Sequence, residues 1–414
     1  MNSTLQTVAD TDSASPTSTT KAIDDANTTS TSTQQNTIQL LDLAAACVAC
    51  TAEATLAMHA LLEKKNTRTK PDGSFVTDAD LIAQGIIVQA VQALHPDIDI
   101  LGEESADEMR QHMQLHRSTS SSGDADEDHR TKNVSSSSLL RTLTQHEIRL
   151  RYHKRTIDPM PLSPAYTTST SAEDNNNADI TDMDDPEPIA VSRIRIVVDP
   201  LDGTKSYTTG EYEAVSILIA ILVDAEPLFG VIGKPFGYGG TEYATLHNTP
   251  CVTFYGGPLV HGMYVAGAVE PIRPTLSSSA SPSATPAAVI SSSRSTGVVQ
   301  DFCRHLANDH GLIQPEPLLI SGAGEKSLRC CLQRNHAALW FFPKGGTSLW
   351  DVAAPDALLR ALGGKLTNKY GALMDYTKRR EQAENVEGVV ACIDPDLHAK
   401  CIALFQEGDW LGRI

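Results

Sequence analysis

Residues 199–204 read Asp199-Pro200-Leu201-Asp202-Gly203-Thr204 and directly follow the stretch Ile194 to Val198, apolar except for Arg195. Such a run, ended by Pro and Gly, predicts a strand over Ile194 to Asp199, with Gly203-Thr204 opening a helix. The two carboxylates are three residues apart, which lets Asp199 and Asp202 face one cation. Pro200 fixes the backbone between them and can turn the Leu201 carbonyl toward the same ion. Magnesium suits this donor set, because it takes hard oxygen ligands and keeps places for water and substrate phosphate. Free amides after Gly203 would face an anion, as helix N-termini do. The same six residues also read as an acidic turn that caps a helix.

Outward from this hexapeptide the pattern gives an α/β protein. Upstream, a helix is predicted from Thr37 to about Lys64, a turn at Asp72-Gly73, and a second helix from Asp78 to Leu94, stopped by His95-Pro96. A short strand over Ile98 to Leu101 then delivers Gly102-Glu103-Glu104-Ser105. Downstream, Ala214 to Val223 and Pro227 to Lys234 form a hairpin around Asp224-Ala225-Glu226. Strand and helix then alternate over Ala288–Ser292, Val298–Asn308, Leu328–Gln333, Leu339–Pro343 and Asp351–Leu362, the last closed by Gly363-Gly364. A strand over Val389–Ile393 and a helix over His398–Phe405 complete the chain. Hairpins early and alternation late indicate an α+β half followed by an α/β half.

Composition divides the chain further. Residues 1–36 are a polar tail with no hydrophobic period, which predicts disorder. The first half, 37–235, carries a low-complexity insertion at about 106–190 that holds one helix around Leu139 to Arg151. The second half, 236–414, carries a Ser/Pro/Ala-rich loop at about 273–287. The net charge of −18 excludes the broad basic surface that polymeric nucleic acid requires. It leaves a small anionic substrate open, since bound cations invert the sign of a carboxylate cluster. No uncharged apolar run long enough to span a membrane is visible, and the first residues lack the apolar core of a secretory signal, so a cytoplasmic location is expected. The eight cysteines are scattered; Cys47-x-x-Cys50 has no second pair to complete a zinc site, and all read as buried small side chains in a reducing compartment.

Three more acidic positions sit where α/β sites are assembled, at strand ends and helix starts. Glu103-Glu104 leaves a strand, which also describes a solvated loop. Asp80 lies in Thr77-Asp78-Ala79-Asp80, which is also a capping-box pattern. Asp351 follows Trp350 at the start of a helix and reads equally as its N-cap.

Together these segments resemble the inositol monophosphatase superfamily of magnesium-dependent, lithium-sensitive phosphatases. Asp199 to Thr204 is similar to its D-P-[LI]-D-G-T motif, Gly102 to Ser105 to its G-E-E-S, Trp350 to Ala354 to its W-D-x-A-A/P, and Val76 to Asp80 to its V-T-x-x-D. Lys205, Tyr207 and Gly210 resemble the 3′(2′),5′-bisphosphate nucleotidase branch, as do the segments 291–295, 322–326 and 363–367. Ser206 departs from that branch, which often has Glu there, and the stretch between Glu104 and Asp199 is unusually long.

The resemblance implies a layered α/β/α/β/α sugar-phosphatase fold and a phosphomonoesterase. Glu103, Asp199, Asp202, Asp351 and the Leu201 carbonyl would hold two or three Mg²⁺, with lithium as an inhibitor. Asp80 and Thr204 would form a dyad that takes a proton from the attacking water. Gly203, Thr204, Lys205, Ser293, Arg294 and Lys326 would bind substrate, with Arg294 and Lys326 holding a second phosphate away from the metals; both also read as ordinary surface cations. The expected substrate is a small phosphorylated nucleotide, adenosine 3′,5′-bisphosphate, and the alternative is an inositol phosphate. A catalytically silent ligand-binding protein of the same fold is the alternative from another class, which the loss of any metal carboxylate would favour.

Overall fold

Strand Ser216–Val223 is apolar at nearly every position, and that composition already requires burial on both faces. Ile217, Ile219 and Ile221 join one hydrophobic core, while Leu218, Ala220 and Leu222 join another. The computed structural model describes residues 36–63, 65–70, 73–110, 141–153, 185–238, 251–268, 270–272, 285–295 and 297–414. The expected tail and most of the expected insertion and Ser/Pro/Ala-rich loop lie outside these residues. The described residues from Thr37 to Ile414 form one compact unit.

The first half contributes α1 (Leu40–Ala60), a small hairpin of β1 (Thr67–Thr69) and β2 (Phe75–Thr77), α2 (Asp78–Gln92) and β3 (Asp99–Gly102). It continues with β4 (Ile194–Asp202), the short α3 (Thr204–Thr209), β5 (Ser216–Val223), β6 (Glu226–Lys234), β7 (Val252–Gly257) and β8 (Gly262–Val265). The second contributes β9 (Ala287–Ser291), α4 (Gly297–Asn308), β10 (Leu318–Ile320), α5 (Ala323–Cys331), β11 (Ala337–Phe342), α6 (Leu349–Ala361), β12 (Lys365–Thr367), β13 (Val389–Cys392) and α7 (Pro395–Glu407). One sheet has the order β8-β7-β6-β5-β4-β3, antiparallel except for the parallel pair β3–β4. The other has the order β10-β9-β11-β13-β12, with β9 parallel to both neighbours.

Five layers result. Helices α1 and α2 cover one face of the first sheet through Leu41, Ile87, Ile196 and Phe229. Between the sheets lie α5 and α6, with Leu328, Val352 and Leu358 packed against Leu218, Ile232 and Trp340. Helices α4 and α7 close the outer face of the second sheet through Phe302, Phe341 and Phe405. Two glycines of β6 permit the close packing on opposite faces. A Cβ on Gly230 would stand 2.5 Å from the Ala354 carbonyl of α6, and one on Gly233 would stand 2.4 Å from Thr51 of α1.

Several boundaries differ from the sequence expectation, each for a physical reason. Helix α1 starts at Leu40, because Thr37 and Ile38 pair with Ala190 and Ile189 as strand. By length and composition alone α1 is long and apolar enough to cross a membrane, although Asp42 and Glu53 leave it no uncharged run of that length; 78% of its apolar window is buried within the fold. Residues 328–331 end helix α5 rather than forming a separate element of the alternation. Strands β7 and β8 were not anticipated. They extend the first sheet, so the expected divide at 235/236 falls between two of its strands. The expected helix near Leu139 to Arg151 is helical over 141–153.

Candidate active site

The parallel pair β3–β4 brings two acidic strand ends together. Gly102 stands opposite Val198, and the Glu103 amide donates to the Val198 carbonyl at 3.0 Å, which sets Glu103 beside Asp199. Pairing of β4 with β5 shifts register between Asp199 and Asp202, where Pro200-Leu201 bulges out. The Leu201 amide donates to Asp199 Oδ1 at 3.0 Å and so orients that carboxylate. Gly203, at φ +86°, then turns the chain into α3, a conformation that favours glycine.

Asp202 is held from a distant part of the chain. Its Oδ2 accepts from Ser216 Oγ at 2.8 Å and from the Gly324 amide at 2.7 Å, and its Oδ1 accepts from the Ala323 amide at 3.0 Å. The start of α5 therefore clasps a carboxylate, which the dipole of a helix N-terminus favours. Gly322 and Gly324 make room for it: a Cβ on either would come within 2.3 Å of the Ala214 carbonyl or of Ser216 Oγ, respectively. The glycines of 322–326 thus serve the carboxylate, a role that sequence reasoning missed.

Asp351 is the third residue of α6, whose N-cap is Ser348 rather than Asp351 itself. The Ser348 amide donates to Asp351 Oδ2 at 2.5 Å in a capping box. One carboxylate oxygen from each of Asp199, Asp202 and Asp351 lies within 4.8 Å of the others. Asp80 likewise closes a capping box while facing the cluster. Its Oδ2 accepts from the Thr77 amide at 2.7 Å and from Thr77 Oγ1 at 2.5 Å, and its Oδ1 accepts from Thr204 Oγ1 at 3.0 Å. Capping and site geometry, which the sequence offers as rival readings of Asp80, occur together on its two oxygens.

The electrostatics are those of a site short of positive charge. Burial, then the charges of Glu103, Asp202 and Asp351, holds the Asp199 carboxyl well above the usual carboxylate range. Burial and Asp202 raise Asp351 likewise. Burial and Glu103 push Asp80 up to about 7 and Glu104 up to about 8. Buried Glu104 Oε2 has no hydrogen-bond partner. Two lysines answer part of this charge. Lys70 Nζ stands 3.2 Å from Glu103 and 2.6 Å from Glu104. Lys326 is buried over the Trp340 ring, where burial lowers its pKa against the pull of Asp202 and Asp351. A hard divalent cation fits the remaining need, because every converging donor is an oxygen.

The residues expected to hold a second phosphate are spread out. Lys326 faces Asp202 and Asp351 and is only 7% exposed, so it belongs to the carboxylate cluster and not to a surface remote from it. Arg294 and Ser293 are exposed, and the Arg294 guanidinium donates to the Gly346 carbonyl. Lys344 is close enough to Arg294 for that charge to help lower its pKa, after burial. Lys205 lies exposed on α3 beside Thr204. Arg380 was not anticipated. Its guanidinium donates to the Gly102 and Glu103 carbonyls and lies 5.6 Å from the Trp350 ring centroid, which ties the two halves together at the acidic strand ends.

Comparison with known proteins follows the same lines. The profile of the inositol monophosphatase family matches residues 166–409. The 3′(2′),5′-bisphosphate nucleotidase 1 of Dictyostelium discoideum is 30% identical over 224 residues, covering 53% of this chain and 65% of that protein. Its human namesake is 30% identical over 197 residues, covering 47% and 56%. Inositol monophosphatase 3 of Danio rerio is 28% identical over 192 residues, covering 46% and 48%. The matched region thus spans roughly half to two-thirds of these relatives. The crystal structure of extragenic suppressor protein suhB from Bartonella henselae superposes at a TM-score of 0.49 with 15% identity, covering 88% of this chain and 98% of that one.

Proposed function

From the premise that this chain belongs to the inositol monophosphatase family, we propose that it is a Mg²⁺-dependent phosphomonoesterase whose substrate is a nucleoside 3′,5′-bisphosphate. The observation that carries the reading is the convergence of Asp199, Asp202 and Asp351 beside the Asp80–Thr204 contact. Glu103, Asp199, Asp202, Asp351 and the Leu201 carbonyl are the groups that would hold Mg²⁺. When bound, the cation supplies neutralising charge for phosphoryl oxygens and lowers the pKa of water at the site.

The chain's own residues supply position and a proton path. Asp80 Oδ1 takes the Thr204 hydroxyl hydrogen, which leaves a Thr204 lone pair to receive the proton of the attacking water. Ser216 and the α5 amides fix Asp202, so it need not reorganise as charge develops. Lys326 and Lys70 limit the mutual repulsion of the carboxylates. Support for a nucleotide substrate is the 30% identity to two bisphosphate nucleotidases, together with exposed Arg294 and half-buried Lys344 as cations for a second phosphate.

Phosphate release from adenosine 3′,5′-bisphosphate and from inositol 1-phosphate tests this reading, with Asp199→Asn as the control. The nucleotide is expected to turn over and the variant to be inactive. Preference for inositol phosphate would overturn the substrate and favour the second reading, which rests on the similarity to inositol monophosphatase 3. Failure of both substrates with folded, Mg²⁺-loaded protein would overturn the proposed activity toward these substrates.

A further inference from the structure

On the outer layer, with the second sheet between it and the carboxylates, helix α4 carries His305 in its last turn and is followed by His310 in the turn beyond it. His305 Nδ1 lies 2.6 Å from Asp309 Oδ2. Asp309 is an exposed carboxylate that accepts, so His305 donates from Nδ1, and in the neutral ring this leaves the lone pair on Nε2. That Nε2 lies 3.3 Å from His310 Nε2, with the two rings edge to face at 86°. The ring of His305 is wedged between Phe302 and Trp410, at centroid distances of 6.3 and 5.4 Å. The backbone that carries His310 is pinned by the helix cap, in which the Gly311 amide donates to Ala307 and the Leu312 amide to Leu306.

We infer that His305 and His310 form a binding site for a borderline transition cation of the Zn²⁺ class. Two Zn–N bonds of about 2.0–2.1 Å at a tetrahedral angle place their nitrogens about 3.3–3.4 Å apart. The Asp309–His305 contact is the carboxylate–imidazole arrangement that sets a metal-ligating histidine's tautomer and raises its basicity. Imidazole nitrogen selects Zn²⁺, Cu²⁺ or Ni²⁺ over Mg²⁺, so this site and the oxygen-lined one take different ions. Water completes the coordination, since His310 is exposed and His305 partly so. The competing occupant of the gap is a shared proton, in an Asp309–His305–His310 hydrogen-bonded chain.

Calorimetric titration of Zn²⁺ into the full chain, with Mg²⁺ in large excess, separates these cases. Wild type is expected to show one class of Zn²⁺ sites that His310→Ala lacks, and Asp309→Asn is expected to keep it with affinity about tenfold weaker. Identical titrations for wild type and His310→Ala would overturn the site and leave the shared proton. His310 is exposed, so its variant should melt with the wild type in the absence of Zn²⁺. Quenching of tryptophan emission by Cu²⁺ gives a second readout, because the Trp410 ring centroid lies 5.4 Å from that of His305. Quenching that does not change in His310→Ala would also overturn the site.

Discussion

At Thr204 one hydroxyl hydrogen faces two acceptors, Asp80 Oδ1 at 3.0 Å and the Leu201 carbonyl at 3.1 Å. If that carbonyl is engaged by a cation, the hydrogen belongs to Asp80 and a Thr204 lone pair points into the site. Thr204→Ala should then lower kcat on the order of 10²-fold, while Thr204→Ser should keep most of it. Asp80→Asn is the sharper change. Its oxygen must stay with Thr77, because both Thr77 groups donate there, which turns the amide NH₂ toward Thr204. The hydrogen bond reverses and occupies the Thr204 lone pair. Steady-state kinetics should show kcat falling as far as in Thr204→Ala, while the melting curve moves by about 1 kcal/mol or less, since the cap survives. Unchanged kcat in Asp80→Asn would remove Asp80 from the proton path.

Packing of elements sets how individual glycines respond to change. A Cβ on Gly230 of β6 meets the backbone of α6, 2.5 Å from the Ala354 carbonyl, and neither element can yield without moving the other. Gly230→Ala should therefore cost about 3 kcal/mol or more in denaturant unfolding. Gly363, at φ +81° with nothing within 4 Å, faces only the strain of the left-handed region, so Gly363→Ala should cost about 1–2 kcal/mol. Equal costs would mean that the β6–α6 contact is softer than its distances imply. The buried pair Lys234–Glu325, at 2.9 Å and 1% exposure on both sides, joins β6 to α5. Lys234→Met leaves Glu325 with Arg329 as its ion-pair partner among the described residues and should cost about 3–5 kcal/mol by the same measurement. These element contacts also explain what the sequence could disclose. Asp199, Asp202, Asp80 and Asp351 each sit in a local signal, a strand end or a helix start, but each also reads locally as a cap or an acidic turn, and the resemblance of their motifs singled them out. The clasp on Asp202 was not legible, because Ser216 and the α5 amides lie 14 and more than 120 residues away. Arg380 reaches Gly102 across 278 positions and left no local trace. Lys326 is expected from the sequence to hold a second phosphate away from the metals, because nothing in its neighbourhood shows that α5 turns it inward toward the carboxylates. Strands β7 and β8 carry Gly256, Gly257 and Gly262 and are defined by pairing with their neighbours rather than by a clean alternation.

Across the whole molecule, the carboxylates join parts that are far apart in the chain. Asp199 and Asp202 end a strand of the first sheet, Asp351 starts a helix between the sheets, and Arg380 ties the second half to Glu103. A cation bound there would act as a cross-link as well as a cofactor, and its effect on stability should depend on pH. In the metal-free protein Asp80 titrates at about 7 against an ordinary 3.8, so the folded state keeps a proton that the unfolded chain has lost. Its contribution is full below about pH 4 and declines as pH rises through about 7. Glu104, raised to about 8 from 4.5, follows the same sign over a slightly higher window. Burial raises Asp199 and Asp351 in the same direction. Mg²⁺ requires its ligands Asp199 and Asp351 ionised and competes with their protons. Saturating Mg²⁺ should therefore raise Tm more at pH 8 than at pH 5.5, and binding at pH 6.5 should release protons, seen as a dependence of calorimetric heat on buffer ionisation. In Asp199→Asn both the Mg²⁺ shift and its pH dependence should shrink. A Tm shift of equal size at the two pH values would mean that the cation does not bind among these carboxylates.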